Sequence, residues 1–134
     1  MSDPNRPADP GRPTRILIAD DDADILDIVG LKLSESGYDV EQAPDGITAW
    51  EAFTADPHDM VVLDVMMPGL SGIDVLRMIR ASDRPTTPVL MLTAKARDLD
   101  VDTAFAVGAD DYVVKPFSPR ELLHRVNGLV AGAR

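Results

Sequence analysis

The chain has 134 residues, 45% of them apolar, and a formal net charge of −10. This length fits one domain with a hydrophobic core, and no apolar run is long enough to span a bilayer. With no cysteine, disulfides and thiolate metal sites are excluded. No basic patch offsets the acidic charge, so this domain is not expected to contact nucleic acid directly. The N-terminus has no signal-peptide pattern, which predicts a cytoplasmic protein without a membrane segment.

Residues 1–14 are rich in proline and almost lack apolar side chains. Such a composition cannot bury enough apolar surface to fold, so this segment is predicted to be a disordered leader. The remaining residues, 15–132, are predicted to form one folded domain with no internal repeat and no interdomain linker.

The first half of the folded part alternates between strand and helix patterns. A short β-branched run predicts a strand at 15–19, and apolar residues at helical spacing predict a helix over 22–36. Gly37 is placed as a C′ glycine that ends this helix. Alternating apolar and polar residues predict a half-exposed strand at 38–42, and helical periodicity returns over 45–55. The apolar positions of the two helices are Ile25, Leu26, Val29 and Leu33, then Ile47, Ala49, Trp50 and Phe53.

The alternation continues with a buried strand at 60–64. Ser71 and Asp74 then form a predicted capping box for a third helix, with apolar positions Val75, Leu76, Met78 and Ile79. The run at 88–93 predicts the fourth strand.

The weakest helical pattern lies over 97–107 and is followed by a last strand at 112–114. Ser118, Pro119 and Glu121 supply an N-cap, an N1 proline and an N3 acid for the final helix. Its apolar stripe consists of Leu122, Leu123, Val126, Leu129 and Val130.

Five strands that alternate with five helices predict an α/β fold with a doubly wound parallel sheet. The runs at 60–63, 89–92 and 112–114 are continuously apolar, which is typical of strands covered on both faces. In the flavodoxin-like strand order 2-1-3-4-5, strands one and three are neighbours.

Polar residues follow the predicted strands at the edge where ligands bind in such sheets. Asp20 and Asp21 follow strand one, Asp64 ends strand three, Thr93 ends strand four, and Lys115 follows strand five. Three carboxylates in one crevice repel each other, and a hard cation such as Mg²⁺ relieves that repulsion. Asp64 could then act as an oxygen nucleophile that forms an acyl phosphate, with Lys115 and the Thr93 hydroxyl stabilising phosphoryl oxygens.

Four segments carry a resemblance to a known family, and in this order along the chain they are a specific pattern. They are ILIADDD (16–22), VVLDVMMPGLSGIDVL (61–76), PVLMLTAK (88–95) and GADDYVVKPFSPREL (108–122). From about Arg15 to Ala131 the chain resembles the response regulator receiver domain, the phosphoacceptor half of bacterial two-component systems.

The resemblance implies a role for each residue of the acidic crevice. Asp64 would be the phosphoacceptor, and Asp21 a direct Mg²⁺ ligand. Asp20 would assist directly or through water, and Met66 would contribute its backbone carbonyl. The phosphoryl donor would be a histidine kinase, a phosphotransferase or a small phosphodonor, and the domain would catalyse only its own phosphorylation and slow dephosphorylation.

The resemblance also implies a switch. The Thr93 hydroxyl would move toward the phosphate, and the aromatic ring of Tyr112 would turn inward with it. Lys115 would pair with the phosphate, with a cis peptide to Pro116. Without the resemblance, Thr93 would equally suit an ordinary strand-end hydroxyl, and Tyr112 half-buried packing.

Other residues are assigned structural roles. Asp22 is expected to cap the first helix rather than bind metal. His58 and His124 lack the partner spacing of a metal site or a nucleophilic triad, and both are predicted on the surface. Trp50 and Phe53 are predicted to be core residues of the second helix.

Two enzyme or cofactor functions compete with this interpretation. A haloacid dehalogenase-type phosphatase shares the aspartate nucleophile and Mg²⁺ but needs a second acid two residues on, where this chain has Met66. A flavodoxin would bind FMN, whose phosphate the Asp20–Asp22 run would repel. The residues therefore favour the phosphoacceptor switch.

The output of the switch has two open alternatives, a stand-alone receiver or the receiver half of a longer transcription factor. Glu121 and Arg125 match dimer-face positions of regulators with a winged-helix output domain. Val101 and Gly132, however, stand where those regulators usually carry basic residues. A homodimer formed on phosphorylation is thus a possibility that these two departures put in question.

Overall fold

The computed structural model of the protein describes residues 12–94 and 98–132, and for 98–101 the backbone alone. Its strands are β1 Arg15–Ala19, β2 Asp39–Ala43, β3 Met60–Asp64, β4 Val89–Thr93 and β5 Asp111–Val114. Its helices are α1 Ala23–Glu35, α2 Gly46–Ala55, α3 Gly72–Arg80, α4 Asp98–Val107 and α5 Pro119–Gly132. Each predicted element is therefore present, with ends that shift by a residue or two. None of the described helices is long and apolar enough to cross a bilayer.

The five strands form one parallel sheet in the order β2-β1-β3-β4-β5, which confirms the predicted topology. Ala19 of β1 is in register with Leu63 of β3, and Asp64 with Leu92 of β4. Because all strands run the same way, the residues that follow β1, β3, β4 and β5 share one edge of the sheet. This edge is called the carboxyl edge below.

Alternating side chains of the central strands fill two cores, one on each face of the sheet. On one face, Leu17, Val61 and Leu63 pack with residues of α2, α3 and α4. On the other face, Ile18 and Val62 pack with residues of α1 and α5. Every residue of β3 and β4 is buried, so these strands are covered on both faces as predicted.

Two expectations about apolar positions are wrong. The strand β5 lies at the end of the sheet, and Val113 is its one fully buried residue, because an edge strand has a neighbour on one side only. Ile47 of α2, predicted to be a core position, is 52% exposed. Its side chain points toward the loop after β3 rather than into the core.

The predicted helix caps are confirmed by their hydrogen bonds. The Asp22 side chain accepts from the backbone at the start of α1, and Ser71 and Asp74 form the reciprocal capping box of α3. The Ser118 hydroxyl accepts the Glu121 amide N–H at 3.0 Å at the start of α5. Gly37 has φ +96°, a backbone conformation that favours glycine at a helix end. These local signals mark the starts of α1, α3 and α5 and the end of α1.

The predicted leader lies mostly outside the described residues. Of its last residues, Thr14 is buried, and its carbonyl accepts the Asp39 amide N–H at 2.9 Å. Arg12 lies 3.8 Å from the Asp59 carboxylate. The chain is therefore attached to the sheet from just before β1.

The prediction that His58 lies on the surface is wrong. The residue is 5% exposed, and its Nε2 lies 2.8 Å from Glu41 Oε1. The His58 ring stacks on the Phe53 ring with 6.3 Å between ring centroids. The Arg84 guanidinium lies 4.2 Å from the centroid of the Phe53 ring. Tertiary contacts between α2, β2 and the loop after α3 create this environment, so local sequence could not reveal it. His124 is exposed as predicted.

Burial of His58 predicts an acid-sensitive stability. Burial lowers the pKa of His58, although the hydrogen bond to Glu41 opposes the shift. A group with a lowered folded pKa binds fewer protons in the folded state, so stability is lost as pH falls below the unfolded value of 6.5. His58→Gln removes this titration while keeping a donor toward Glu41, and it should cost about 1–2 kcal/mol at neutral pH.

Urea unfolding at pH 7.5 and pH 5.5 measures the effect. We expect the stability lost between these pH values to be smaller in His58→Gln than in the wild type. The exposed His124 provides the matched control, and His124→Gln should follow the wild-type pH dependence. Identical pH dependence in all three proteins would contradict the assignment to His58.

Candidate functional site

The carboxyl edge of the sheet gathers buried polar side chains. Asp20 follows β1 and is fully buried, and Asp64 ends β3 at 4% exposed. Thr93 ends β4 and is also 4% exposed, while Lys115 follows β5 and is half-buried. Burial of these polar groups beside each other is costly unless they interact, so their mutual contacts define the site.

Three carboxylates form the centre of the site. Oxygen atoms of Asp20, Asp21 and Asp64 all lie within 4.8 Å of one another. Asp22, the next acid of the same run, is separate, because its side chain accepts the Asp24 amide N–H at 2.9 Å and caps α1. Asp20 Oδ1 in turn accepts the Asp22 amide N–H at 2.9 Å, which fixes its orientation. The helix cap and the acidic cluster are therefore adjacent but distinct, as predicted.

Lys115 provides the ammonium group of the site. Its Nζ lies 2.7 Å from Asp20 Oδ2 and 3.5 Å from Asp64 Oδ2. The Lys115–Pro116 peptide is cis, which confirms that prediction, and the Lys115 amide N–H donates to the Thr93 carbonyl at 2.6 Å. The lysine thus links the end of β5 to the ends of β1 and β3.

The surroundings of Asp64 disfavour a negative charge on its carboxyl group, beside the buried Asp20. Burial and the negative charge of Asp20 raise the pKa of Asp64 from 3.8 to about 7, against the opposing charge of Lys115. Burial acts to lower the Lys115 pKa, but the hydrogen bond to Asp20 and the charge of Asp64 outweigh it, so that pKa is raised. Near neutral pH, Asp64 therefore titrates while the ammonium stays charged.

The donor set suits a hard divalent cation. Three carboxylates face one ammonium group among the described residues, which leaves an excess of negative charge. Oxygen donors of this kind are the ligands that Mg²⁺ prefers. The Met66 amide N–H donates to Asp64 Oδ1 at 3.3 Å, so the Met66 backbone lies beside the cluster while its side chain is 69% exposed. The acidic pocket can therefore hold a metal ion, and the ligand role of the Met66 carbonyl stays a prediction.

The two predicted switch residues occupy different positions at this edge. Thr93 is in register with Val114, and Tyr112 is in register with Met91 two residues earlier on β4. Tyr112 is half-buried, and its ring meets Phe105 of α4 edge-on, with 5.7 Å between ring centroids. The Tyr112 ring is therefore in contact with α4. Phe105 was not identified from sequence, because α4 has the weakest helical pattern.

Gly72 was also missed, although its contact with the end of β3 is close. A methyl group at Gly72 would lie 2.1 Å from the Asp64 carbonyl oxygen. Gly72 therefore lets the start of α3 pack against the end of β3. The capping box at Ser71 marked the start of this helix, but nothing local indicated the close approach.

The surface of β5 and α5 includes the two residues matched to dimer-face positions. Arg125 Nη1 lies 3.0 Å from Asp111 Oδ2 of the same chain, and Glu121 is exposed. The hydrogen bond to Asp111 raises the already high pKa of Arg125. The side chain of Val101 lies outside the described residues, and Gly132 is exposed at the end of α5.

This architecture defines a flavodoxin-like α/β domain with an acidic, metal-competent pocket at the carboxyl edge of its sheet. The family model of the response regulator receiver domain matches residues 16–127. The chain therefore belongs to the response regulator receiver domain family of two-component systems.

Individual proteins agree with this assignment. The chain is 41% identical to the transcriptional regulatory protein ResD of Bacillus subtilis over 120 residues, covering 90% of this chain and 49% of ResD. It is 44% identical to the DNA-binding response regulator MtrA of Mycobacterium tuberculosis over 112 residues, covering 84% of this chain and 48% of MtrA. The chain thus spans about half the length of the curated relatives it matches.

Solved structures agree as well. The chemotaxis protein CheY4 of Vibrio cholerae matches with a TM-score of 0.84 and 32% identity, covering 88% of this chain and 99% of CheY4. The predicted fold and family are confirmed by these similarities.

The raised pKa of Asp64 predicts that Asp64→Asn stabilises the metal-free protein. A carboxyl whose folded pKa is raised contributes stability below its unfolded value of 3.8, and this contribution is lost as pH rises to about 7. Asparagine cannot ionise, so at pH 8 the variant should be more stable by about 1–2 kcal/mol after allowance for solvent screening. At pH 4.5 the difference should largely vanish.

Thermal unfolding in chelator-treated buffer at both pH values tests this. The control is Asp83→Asn, since the Asp83 side chain is 88% exposed and should not change stability. An equal or lower melting temperature of Asp64→Asn at pH 8 would contradict the repulsion inferred for the cluster.

Proposed function

We propose that Asp64 accepts a phosphoryl group from a histidine kinase or phosphotransferase in an Mg²⁺-dependent reaction, and that the modified site changes partner binding. The observation that supports this most is the convergence of the Asp20, Asp21 and Asp64 carboxylates at the carboxyl edge. The Lys115 ammonium lies beside two of them, Asp20 and Asp64. Membership of the receiver family supports the same chemistry.

In the proposed reaction, a carboxylate oxygen of Asp64 attacks the phosphorus of the donor. A phosphorus–oxygen bond forms as the phosphorus–nitrogen bond of a phosphohistidine breaks, and the departing imidazole keeps the electron pair. Mg²⁺ held by Asp20, Asp21, Asp64 and the Met66 carbonyl would neutralise charge on the transferred phosphoryl oxygens. Asp64 reacts in its ionised form, and a bound cation favours that form over the protonated one.

Lys115 is proposed to change partners during the reaction. Its ammonium group is placed between Asp20 and Asp64, with the longer distance to Asp64. An acyl phosphate removes the charge of the Asp64 carboxylate and places phosphoryl oxygens beyond it. The flexible lysine side chain can follow the negative charge and stabilise these oxygens.

The proposed switch runs from Thr93 to the surface of α4. The Thr93 hydroxyl would donate to a phosphoryl oxygen, and Tyr112 would turn toward the space that the hydroxyl leaves. Because the Tyr112 ring contacts Phe105, a change of its rotamer would alter the exposed surface of α4. Phosphorylation would then act as a population shift between two surfaces of different partner affinity.

A phosphatase acting on added substrates is less well supported. The position of the required second acid is occupied by Met66, an exposed thioether that cannot transfer a proton. We therefore propose a switch that catalyses its own phosphorylation and slow dephosphorylation and no other reaction.

The relatives support a proposal for what the switch controls. ResD and MtrA are about twice as long as this chain, so residues 15–132 would serve as the receiver unit of a regulator that controls transcription. Residues 1–14 would remain a leader.

The acidic surface argues against direct DNA contact by this unit, and a homodimer through α4, β5 and α5 is a candidate output state. A kinase partner implies a cytoplasmic location.

Intact mass after incubation with acetyl phosphate tests the chemistry. We expect one phosphoryl adduct on the wild type in the presence of Mg²⁺ and none after chelation. Asp64→Asn should give no adduct, and Asp83→Asn should match the wild type because Asp83 is exposed and distant from the cluster. An adduct that persists in Asp64→Asn would contradict the assignment of the phosphoacceptor.

Thr93→Ala tests the switch separately from the chemistry. The variant should still accept the phosphoryl group, with a yield within about threefold of the wild type, since the hydroxyl supplies one hydrogen bond. The phosphorylation-dependent change in hydrogen exchange over residues 102–114 should be lost. Thr87 is also buried but precedes β4, at the end of the strand away from the site. Thr87→Ala should therefore show the same phosphorylation-dependent change in hydrogen exchange as the wild type. An undiminished response in Thr93→Ala would contradict the proposed relay.

A further inference from the structure

The loop that joins β3 to α3, residues 65–71, carries the Met66 backbone beside the acidic cluster. Its first part is held by its own neighbours: the Val65 amide N–H donates to the Leu92 carbonyl at 2.9 Å, and the Val65 carbonyl accepts from Gly72 at 3.0 Å. Val65 and Met67 are buried in the core, with the exposed Met66 between them. The backbone around Met66 is thus fixed from one side.

The second part of the loop is contacted by a different element, the first turn of α2. A methyl group at Gly46 would lie 2.1 Å from the Leu70 carbonyl oxygen and 2.8 Å from Leu70 Cβ. The blocking oxygen belongs to the backbone, so a larger residue at Gly46 would have to displace the loop itself. Reaching ordinary van der Waals separation requires a movement of roughly 1 Å.

Ile47 adds a side-chain contact to the same turn. Although the residue is 52% exposed, its Cδ1 lies 3.5 Å from the place that a methyl group at Gly69 would occupy. Gly69 has φ +77° and lies in a bend of the chain at residues 68–70, next to this side chain. Ile47 does not pack in the core, and its side chain instead covers the loop at Gly69.

Gly72 at the start of α3 makes a backbone contact of the same kind, whereas the helical glycines of α1 and α5 make none. A methyl group at Gly128 of α5 would meet nothing within 4 Å. At Gly30 of α1 it would meet the end of the flexible Gln42 side chain, which can move away. Gly46 instead meets a backbone carbonyl of the loop that leads to the functional site.

We propose that Gly46 and Ile47 are positioning residues, which seat the loop 65–71 and so place the Met66 backbone relative to Asp64. This inference rests on the proposed function for the meaning of that placement. Mg²⁺ demands near-ideal octahedral geometry, so a displacement of the loop should weaken metal binding even though neither residue supplies a ligand.

Calorimetric titration with Mg²⁺ alone measures the first consequence. We expect Gly46→Ala to bind Mg²⁺ about 10-fold more weakly than the wild type, as is typical for loss of an outer contact of a metal site. Gly128→Ala makes the same change on α5 and should leave the affinity unchanged. Equal affinities in the two variants would overturn the proposal.

Ile47→Ala tests the seat without adding atoms, so it remains informative if Gly46→Ala does not fold. It should weaken Mg²⁺ binding about 2-fold to 3-fold. This loss is smaller than that expected for Gly46→Ala, because the loop keeps its contacts at Val65 and Leu70. Ile28 of α1 is also 52% exposed and provides a matched control. Ile28→Ala should not change the affinity, and an equal loss in both variants would overturn the role of Ile47.

Hydrogen exchange of the metal-free proteins separates this proposal from the proposed function. The amides of residues 66, 67, 69 and 70 should exchange faster in Gly46→Ala and Ile47→Ala than in the two controls. Absence of Mg²⁺ binding by the wild type would count against the proposed function, while faster loop exchange would still support the seat. Loop exchange equal to that of the controls would overturn the seat, whatever the metal affinity.

Discussion

Repulsion among the carboxylates of Asp20, Asp21 and Asp64 is the interaction on which the rest of the site depends. Two of the three carboxylates are buried, and the single positive charge of Lys115 does not balance the three negative charges. Burial of Asp64, together with the negative charge of Asp20, raises the pKa of Asp64. Such a pocket gains from binding a cation, and the cation would also offset the negative charge that an acyl phosphate adds at Asp64.

The fold tolerates this repulsion because stabilising contacts lie elsewhere. Both faces of β1, β3 and β4 are covered by apolar side chains, which hold the strand ends in place. Near the opposite ends of the strands, His58, Phe53 and Arg84 form a packed cluster that also joins α2 to the loop after α3. The proposed seat at the start of α2 connects this rigid scaffold to the loop beside Asp64. The strand β5 and residues 102–107 of α4 are more exposed, which suits the proposed surface that changes with the state of the site.

Much of the fold and most of the candidate site could be predicted from sequence because their signals are local. The continuous apolar run of β3 indicated a buried parallel strand, and the Ser71–Asp74 spacing located the start of α3. In a doubly wound sheet, polar residues directly after such strands must meet at one edge, so Asp20, Asp64 and Lys115 could be placed together before any distance was known. Their roles in phosphoryl transfer remain predictions.

The sequence by itself thus determined the order of elements, the helix caps and the residues gathered at the carboxyl edge, since periodicity, caps and strand ends depend on near neighbours in the chain. Tertiary structure alone decided the burial of His58, the exposure of Ile47 and the close approach of Gly46 to Leu70. These features arise where elements far apart in sequence pack together. Whether a histidine is covered, or whether a helix must carry glycine, depends on the partner surface, and no local pattern records that surface.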